Sequence, residues 1–289
     1  MKFDYTGAEL FMAFLGGNAT AREVLAHPAY MTIARHAKFC SNEISERDLE
    51  DALMGRPSAL FGLEHLPDNL ERIESLLSHI RQNEASWTGK IETALGFLFP
   101  GEDLNITVYP AIGYDMGIGM DGTVCMNCNC ETYLKHPLEF LFYAMHESVH
   151  VVYGRHHRVP PLRDAVSRAD WLSYFLMWTQ NEGYAVYAPL HLREEMGCMN
   201  GPDYMVLSSP GELNDTRLMF LDSLKKLRDQ TLTRDEYIDI CFGKRRLTYR
   251  IGCEMIRRIE LAYGPQAVQR AFRLESNSFF ENYRHLIEK

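Results

Sequence analysis

The sequence predicts an α+β fold that is predominantly α-helical, with a small β-sheet and helical lobes at both ends. Three observations predict it. Apolar residues recur at helical spacing through most of the first and last hundred residues. From Leu104 the period shortens to two over a brief stretch. Hydrophobic residues make up 46% of 289 positions, enough for a sizeable core, and no linker-like composition divides the chain. One unit is therefore expected over residues 1–289: an N-terminal helical lobe over 1–100, a small sheet with two central helices over 101–190, and a C-terminal helical lobe over 191–289.

In the N-terminal lobe, Thr20 with Glu23 and Asp68 with Glu71 have the spacing of a capping box, in which each side chain satisfies a backbone N–H at a helix start. Leu70, Ile73, Leu76, Leu77 and Ile80 then form one apolar face, and Ile91, Ala94, Leu95 and Leu98 carry the pattern to a Pro100-Gly101 break. Ser45 with Asp48 opens a short helix that Gly55 stops. His27, His36, His65 and His79 lack ligand spacing and read as surface or core-edge histidines.

Leu104, Ile106 and Val108 alternate with polar residues, and Asp121-Gly122 is a hairpin-type turn before Val124. Gly113, Gly117 and Gly119 permit a close backbone approach. They suit an edge strand pairing with an extended peptide or, equally, a glycine-rich loop between strands. No strand-turn-helix follows, so they are not a phosphate loop. Cys125, Cys128 and Cys130 form a C-x-x-C-x-C cluster with no second pair at zinc-ribbon spacing. They read as strand and loop thiols and are not counted as a site. Seven cysteines without a secretion signal make a disulfide framework unexpected.

The stretch from Pro137 to Gly154 organises the chain. Pro137 suits a first helical position and Gly154 a C-terminal stop. Leu138, Leu141, Phe142, Met145, Val149 and Val152 keep a helical apolar pattern between them. On this helix lies His146-Glu147-Ser148-Val149-His150. Residues four apart share a helix face, so both imidazoles can bind one metal ion while Glu147 stands beside them as a base. With 11 histidines in the chain, such an H-E-x-x-H arises by chance in roughly 3 of 100 chains of this composition.

Two ligands do not complete a site, and the third expected is Glu182. It lies in a second apolar helix, roughly 171–188, that Pro189 ends and whose face holds Trp171, Tyr174, Phe175, Trp178 and Ala185. A carboxylate there is costly unless something pairs with it, and a zinc ion held by two neutral imidazoles would do so. Small residues at Gly183 and Ala185 are expected to let this helix approach the first. Between the two helices, Arg155 to Pro161 is a stiff basic loop, either bordering the site to meet a substrate carboxylate or simply solvated.

At these residues the chain resembles the gluzincin metallopeptidases, whose H-E-x-x-H helix is followed by a helix bearing a glutamate ligand. The segment Asn181-Glu182-Gly183-Tyr184-Ala185 looks like the N-E-G-F-A segment of the aminopeptidase branch. The resemblance covers about 137–189, with an echo from Tyr249 to Gly264. No G-x-M-E-N exopeptidase segment is present, and the chain looks most like the uncharacterised predicted zinc-protease families of that clan. The resemblance implies a zincin-like core, one zinc ion per chain on His146, His150 and Glu182, and Glu147 as general base. In gluzincin-like proteins a downstream helix often brings a tyrosine across the cleft. That implies Tyr249 as the donor to the developing oxyanion, with Tyr184 and His157 as competitors and Gly252 leaving room for substrate backbone.

Beyond Pro189 the helical pattern resumes through Leu218, Leu221, Leu224 and Leu227. A Thr233 to Glu236 capping box begins a helix ending at Gly243, and a further helix runs from Leu247 through Met255, Ile256 and Ile259 towards Tyr263-Gly264. A net charge of -9, with basic residues scattered apart from Lys244-Arg245-Arg246, argues against nucleic acid and anionic membrane as partners. The early Asp4, and the lack of any apolar run near 18 residues, argue against a signal peptide or span, so a cytoplasmic protein is expected. The leading expectation is peptide-bond hydrolysis by zinc-activated water, on a peptide or protein substrate, in a cleft between helical lobes. The rivals are a non-peptide zinc amide or ester hydrolase, and a helical interaction protein with a structural or vestigial zinc site.

Overall fold

The computed structural model describes residues 1–56, 63–161 and 167–288, and among them α-helices surround one small mixed sheet. These residues form two compact units. The first is made mainly of Met1–Gly96 and Glu102–Gly154, the second mainly of residues 97–101, 155–160 and 167–288. No helix of the described residues is long and apolar enough to cross a membrane.

The first unit begins with β1 (Lys2–Phe3) and four short helices: α1 (Thr6–Leu15), α2 (Ala21–Ala26), α3 (Pro28–Phe39) and α4 (Glu46–Leu53). Capping boxes form at Thr20 with Glu23 and at Ser45 with Asp48, as their spacing requires. Gly55, at φ 66°, follows the end of α4. The long α5 (Leu66–Leu98) is one continuous helix of 33 residues. It corrects one expectation: because α5 already starts at Leu66, Asp68 and Glu71 lie inside its first turns and are not an N-cap. Its buried stripe is Ile73, Leu76, Leu77, Ile80, Trp87, Ile91, Leu95 and Leu98, whereas Leu70 is half-buried.

The sheet has the order β1-β2-β4-β3, from β1, β2 (Thr107–Ala111), β4 (Thr123–Asn127) and β3 (Gly117–Met120). β2 runs parallel to both β1 and β4, while β3 pairs antiparallel with β4 from Gly117 opposite Met126 to Met120 opposite Thr123. Asp121 and Gly122 make the two-residue turn at φ 51° and 80°, the positive values a primed hairpin turn demands. A two-residue strand such as β1 leaves no period to read, so its place in the sheet was not foreseen. Asn127 fixes the turn before β3: its Oδ1 accepts from Gly113 N at 2.9 Å and its Nδ2 donates to Tyr114 O at 3.3 Å. The edge position of β3 agrees with the strand reading of Gly117 and Gly119 rather than the loop reading.

After α6 (Glu131–Lys135) comes α7 (Leu138–His156), which does not stop at Gly154. Glycine is tolerated inside a helix, and α7 runs on through Arg155 and His156. Thirteen of its nineteen residues are buried on every side, with Phe140 packed between Trp87, at 6.1 Å between ring centroids, and Tyr133, at 5.5 Å. A helix covered all round loses the one-sided stripe of a surface helix.

The second unit contains α8 (Arg168–Tyr187), α9 (Leu190–Glu195), α10 (Pro202–Leu207), α11 (Pro210–Arg228), α12 (Arg234–Cys241), α13 (Leu247–Tyr263), α14 (Pro265–Phe272) and α15 (Ser276–Tyr283). Its centre is α8, buried at every position from Phe175 to Tyr187, with Phe175 5.0 Å from Phe220 and Tyr184 5.1 Å from Phe272 between ring centroids. The expected stripe on α11 is corrected: Leu218 is 53% exposed, and the buried face is Thr216, Phe220, Ser223, Leu224 and Leu227. The Thr233–Glu236 capping box and the Gly264 end of α13 form as read.

Candidate metal centre

Because α7 is enclosed along most of Glu139 to Tyr153, the polar residues there are largely buried with it. His146 is 8% and Glu147 7% exposed, and His150, one turn on, is half-buried. The i and i+4 spacing brings the Nε2 atoms of His146 and His150 to 3.2 Å, with the rings 4.9 Å apart and nearly perpendicular. In a tetrahedral zinc site with bonds of 2.0–2.1 Å, two nitrogen ligands stand about 3.3 Å apart. The two imidazoles therefore already span one edge of such a tetrahedron.

Strand β3 presses on α7 at the residue between them. A Cβ added to Gly119 would lie 1.9 Å from the Glu147 carbonyl oxygen, and one added to Gly117 would lie 2.9 Å from Glu147 Cγ and 3.2 Å from Oε1. The bare faces of these glycines are thus filled by Glu147. Any side chain there would drive the helix and its carboxylate off the strand. The turn before β3 holds Tyr114 at φ 72°, uncommon for a residue with a side chain. The Tyr114 hydroxyl lies 3.0 Å from His36 Nδ1. Burial lowers the His36 pKa, Asp115 opposes that shift and His150 adds to it, which places this pair in the electrostatic reach of His150.

On α8 the buried run is polar: Thr179, Gln180, Asn181 and Glu182 are all at most 5% exposed. Thr179 Oγ1 donates to Phe175 O at 2.7 Å, and Gln180 Nε2 donates to Ala271 O at 3.2 Å and Leu274 O at 2.9 Å. Next to Glu182, Gly183 meets Gly252 of α13. A Cβ on Gly252 would lie 2.0 Å from Thr179 O and 2.7 Å from Gly183 Cα. This corrects two expectations. The clearance at Gly183 is taken by α13, and the space at Gly252 holds the α8 backbone rather than substrate.

The glycine crossing sets Tyr249, three residues before Gly252, against Glu182. The Tyr249 hydroxyl faces the Glu182 side chain, and its pKa is held far above the usual phenol value by burial first and by the Glu182 charge second. Arg246 lies over the Tyr249 ring, with Cζ 3.6 Å from the centroid, and is itself paired with Asp203 at 2.8 Å. The competing donors are committed elsewhere. Tyr184 donates to Val268 O at 2.6 Å and His157 Nε2 to Phe272 O at 2.8 Å. His157 is also buried rather than part of a solvated loop.

His146, His150 and Glu182 each offer a ligand atom, and these atoms all lie within 4.8 Å of one another. Two imidazoles and a carboxylate are a zinc donor set, so the residues present fit the ion. Among the described residues no other group of three or more histidine, cysteine, aspartate or glutamate side chains converges in this way. Cys125 Sγ instead donates to Ala29 O at 3.4 Å, and burial raises the thiol pKa values of Cys125 and Cys128. Sequence reasoning missed Asp203, Arg246 and Arg250. Arg246 and Arg250 have i, i+4 spacing at a helix start, but nothing local couples them to an aspartate more than forty residues earlier.

Fold and site together define a helical α+β protein with a buried His-His-Glu group able to hold a metal ion. The chain belongs to the family described as "Putative zinc dependent peptidase (DUF5700)", whose model matches residues 21–289. No curated protein and no solved structure matches it.

Proposed function

We propose that this protein hydrolyses peptide bonds, with one zinc ion held by His146, His150 and Glu182 and with Glu147 as general base. The observation that carries the proposal is the convergence of those three ligand atoms within 4.8 Å, in a chain whose family is described as a zinc dependent peptidase. When bound, zinc supplies a Lewis acid for a carbonyl oxygen and lowers the pKa of water to near 7.

Glu147 follows His146 directly but is not one of the three converging side chains. Its carboxylate is therefore left to take a proton from the attacking water and return it to the leaving amine. Gly117 lies against the Glu147 side chain and Gly119 against its backbone, so the strand sets where the base stands. Tyr249 keeps its proton through the neutral range because its pKa is raised. Its hydroxyl steadies Glu182 and turns to the carbonyl oxygen as charge builds there, a contact worth more in the transition state than in the ground state.

The test is Glu147→Gln, which preserves size and hydrogen bonding but cannot accept the proton. The variant should retain zinc and fold and lose turnover on peptides that the parent cleaves. Unchanged turnover would reject Glu147 as the base.

A further inference from the structure

The ion network beside Glu182 carries more positive charge than its own partners neutralise. Asp203 is 5% exposed and receives two guanidiniums. Arg246 reaches it through Nε at 3.0 and 2.9 Å and through Nη2 at 2.8 Å, and Arg250 through Nε at 3.1 Å. One carboxylate against two arginines leaves one positive charge over. Neither Nη1 makes a hydrogen bond or ion pair among the described residues. The side chains are 26% and 12% exposed, so neither guanidinium is sealed in the core.

The surplus grows when the metal site is filled. Glu182, whose charge lies near Arg246, is then engaged by a divalent ion, and the pair of them is itself positive. Arg246 is also held stiffly. Its backbone is left-handed at φ 44° and ψ 44°, its guanidinium is bidentate on Asp203, and its other face lies on Tyr249. A planar guanidinium with a free edge is suited to a carboxylate.

We propose that Arg246, assisted by Arg250, binds the α-carboxylate at the C-terminus of a peptide, so that the enzyme removes residues from that end. This rests on the peptidase reading and adds the substrate class. The distance supports it. Arg246 Cζ lies 3.6 Å from the Tyr249 ring centre, and Tyr249, one turn before the Gly252–Gly183 crossing, stands beside Glu182, so guanidinium and ligand carboxylate are roughly 10 Å apart along that path. Extended peptide advances about 3.3–3.6 Å per residue. A terminal carboxylate on Arg246 therefore sets the scissile bond about two residues from the chain end, and the product is a dipeptide or a single amino acid.

Binding tests this apart from turnover. The zinc-loaded full chain carrying Glu147→Gln is titrated with a short N-acetylated peptide as the free acid and as the carboxamide. The free acid should bind about tenfold more tightly or better. Adding Arg246→Gln should abolish the difference with zinc content unchanged, and Arg246→Lys should restore part of it. Equal affinity for acid and amide, no binding of either, or a full preference surviving in folded Arg246→Gln protein would overturn the proposal. If Arg246→Gln does not fold, Arg246→Lys decides: an undiminished preference overturns the proposal and a reduced one supports it. Cleavage of amidated peptides at the free-acid rate would also overturn it while leaving the hydrolase reading intact.

Discussion

Gly119 stands so close to Glu147 that a Cβ on the glycine would lie 1.9 Å from the glutamate's carbonyl oxygen. The obstacle is backbone, which cannot rotate away as a side-chain tip can. Gly119→Ala should therefore cost on the order of 1–3 kcal/mol of stability, measured by chemical denaturation. It should also lower turnover in the folded fraction, because relief comes by moving the helix that carries Glu147. An alanine variant with parental stability and rate would show that the strand and helix are free to separate.

Gly252 makes the corresponding contact with the helix of Glu182, since a Cβ there would meet Thr179 O at 2.0 Å and Gly183 Cα at 2.7 Å. Gly252→Ala should likewise destabilise by roughly 1–3 kcal/mol and, by displacing Glu182, weaken zinc retention during dialysis against a chelator. Zinc loss at the parental rate would separate this crossing from the metal site.

Tyr249→Phe removes the hydroxyl that faces Glu182. As an oxyanion donor its loss should cost roughly 2.7–4 kcal/mol, a hundred- to thousandfold in kcat with KM nearly unchanged. Steady-state kinetics beside zinc analysis separates the two duties. A variant that loses zinc, or that keeps parental kcat, would remove Tyr249 from the chemistry.

Burial lowers the His157 pKa in the folded protein, opposed by its bond to Phe272 O and by Glu275. A histidine whose folded pKa lies below the unfolded value near 6.5 favours its neutral form in the native state. Its contribution to stability is thus complete above that pH and is lost as pH falls towards the folded pKa, where the unfolded chain binds the extra proton. Denaturation followed from pH 7.5 down to 5 should give a shallower slope for His157→Gln than for the parent. Identical slopes would mean that His157 does not titrate on unfolding.

Features carried by local patterns were legible in the sequence. The capping boxes at Thr20, Ser45 and Thr233, the Asp121-Gly122 turn and the i, i+4 histidines each depend on residues a few positions apart. Glu182 was legible because a carboxylate in an apolar helix calls for a partner. What could not be read depends on tertiary company. Gly154 resembles a helix stop until α7 is seen to continue past it, and Leu218 fits an apolar stripe whose register the packing of Phe220 shifts. Gly183 and Gly252 were both recognised as places of close approach, but which backbone fills them follows only from the crossing of α8 and α13. Asp203 gives no local sign that Arg246 and Arg250 will converge on it.

The central claim is that His146, His150 and Glu182 hold one zinc ion together. Elemental analysis of the full-length protein purified without chelator tests it most directly. About one zinc per chain is expected in the parent and in Glu147→Gln, and close to none in His146→Ala, His150→Ala or Glu182→Ala, with the fold of each checked by circular dichroism. A full equivalent of zinc in folded Glu182→Ala protein, or none in the parent, would contradict the account.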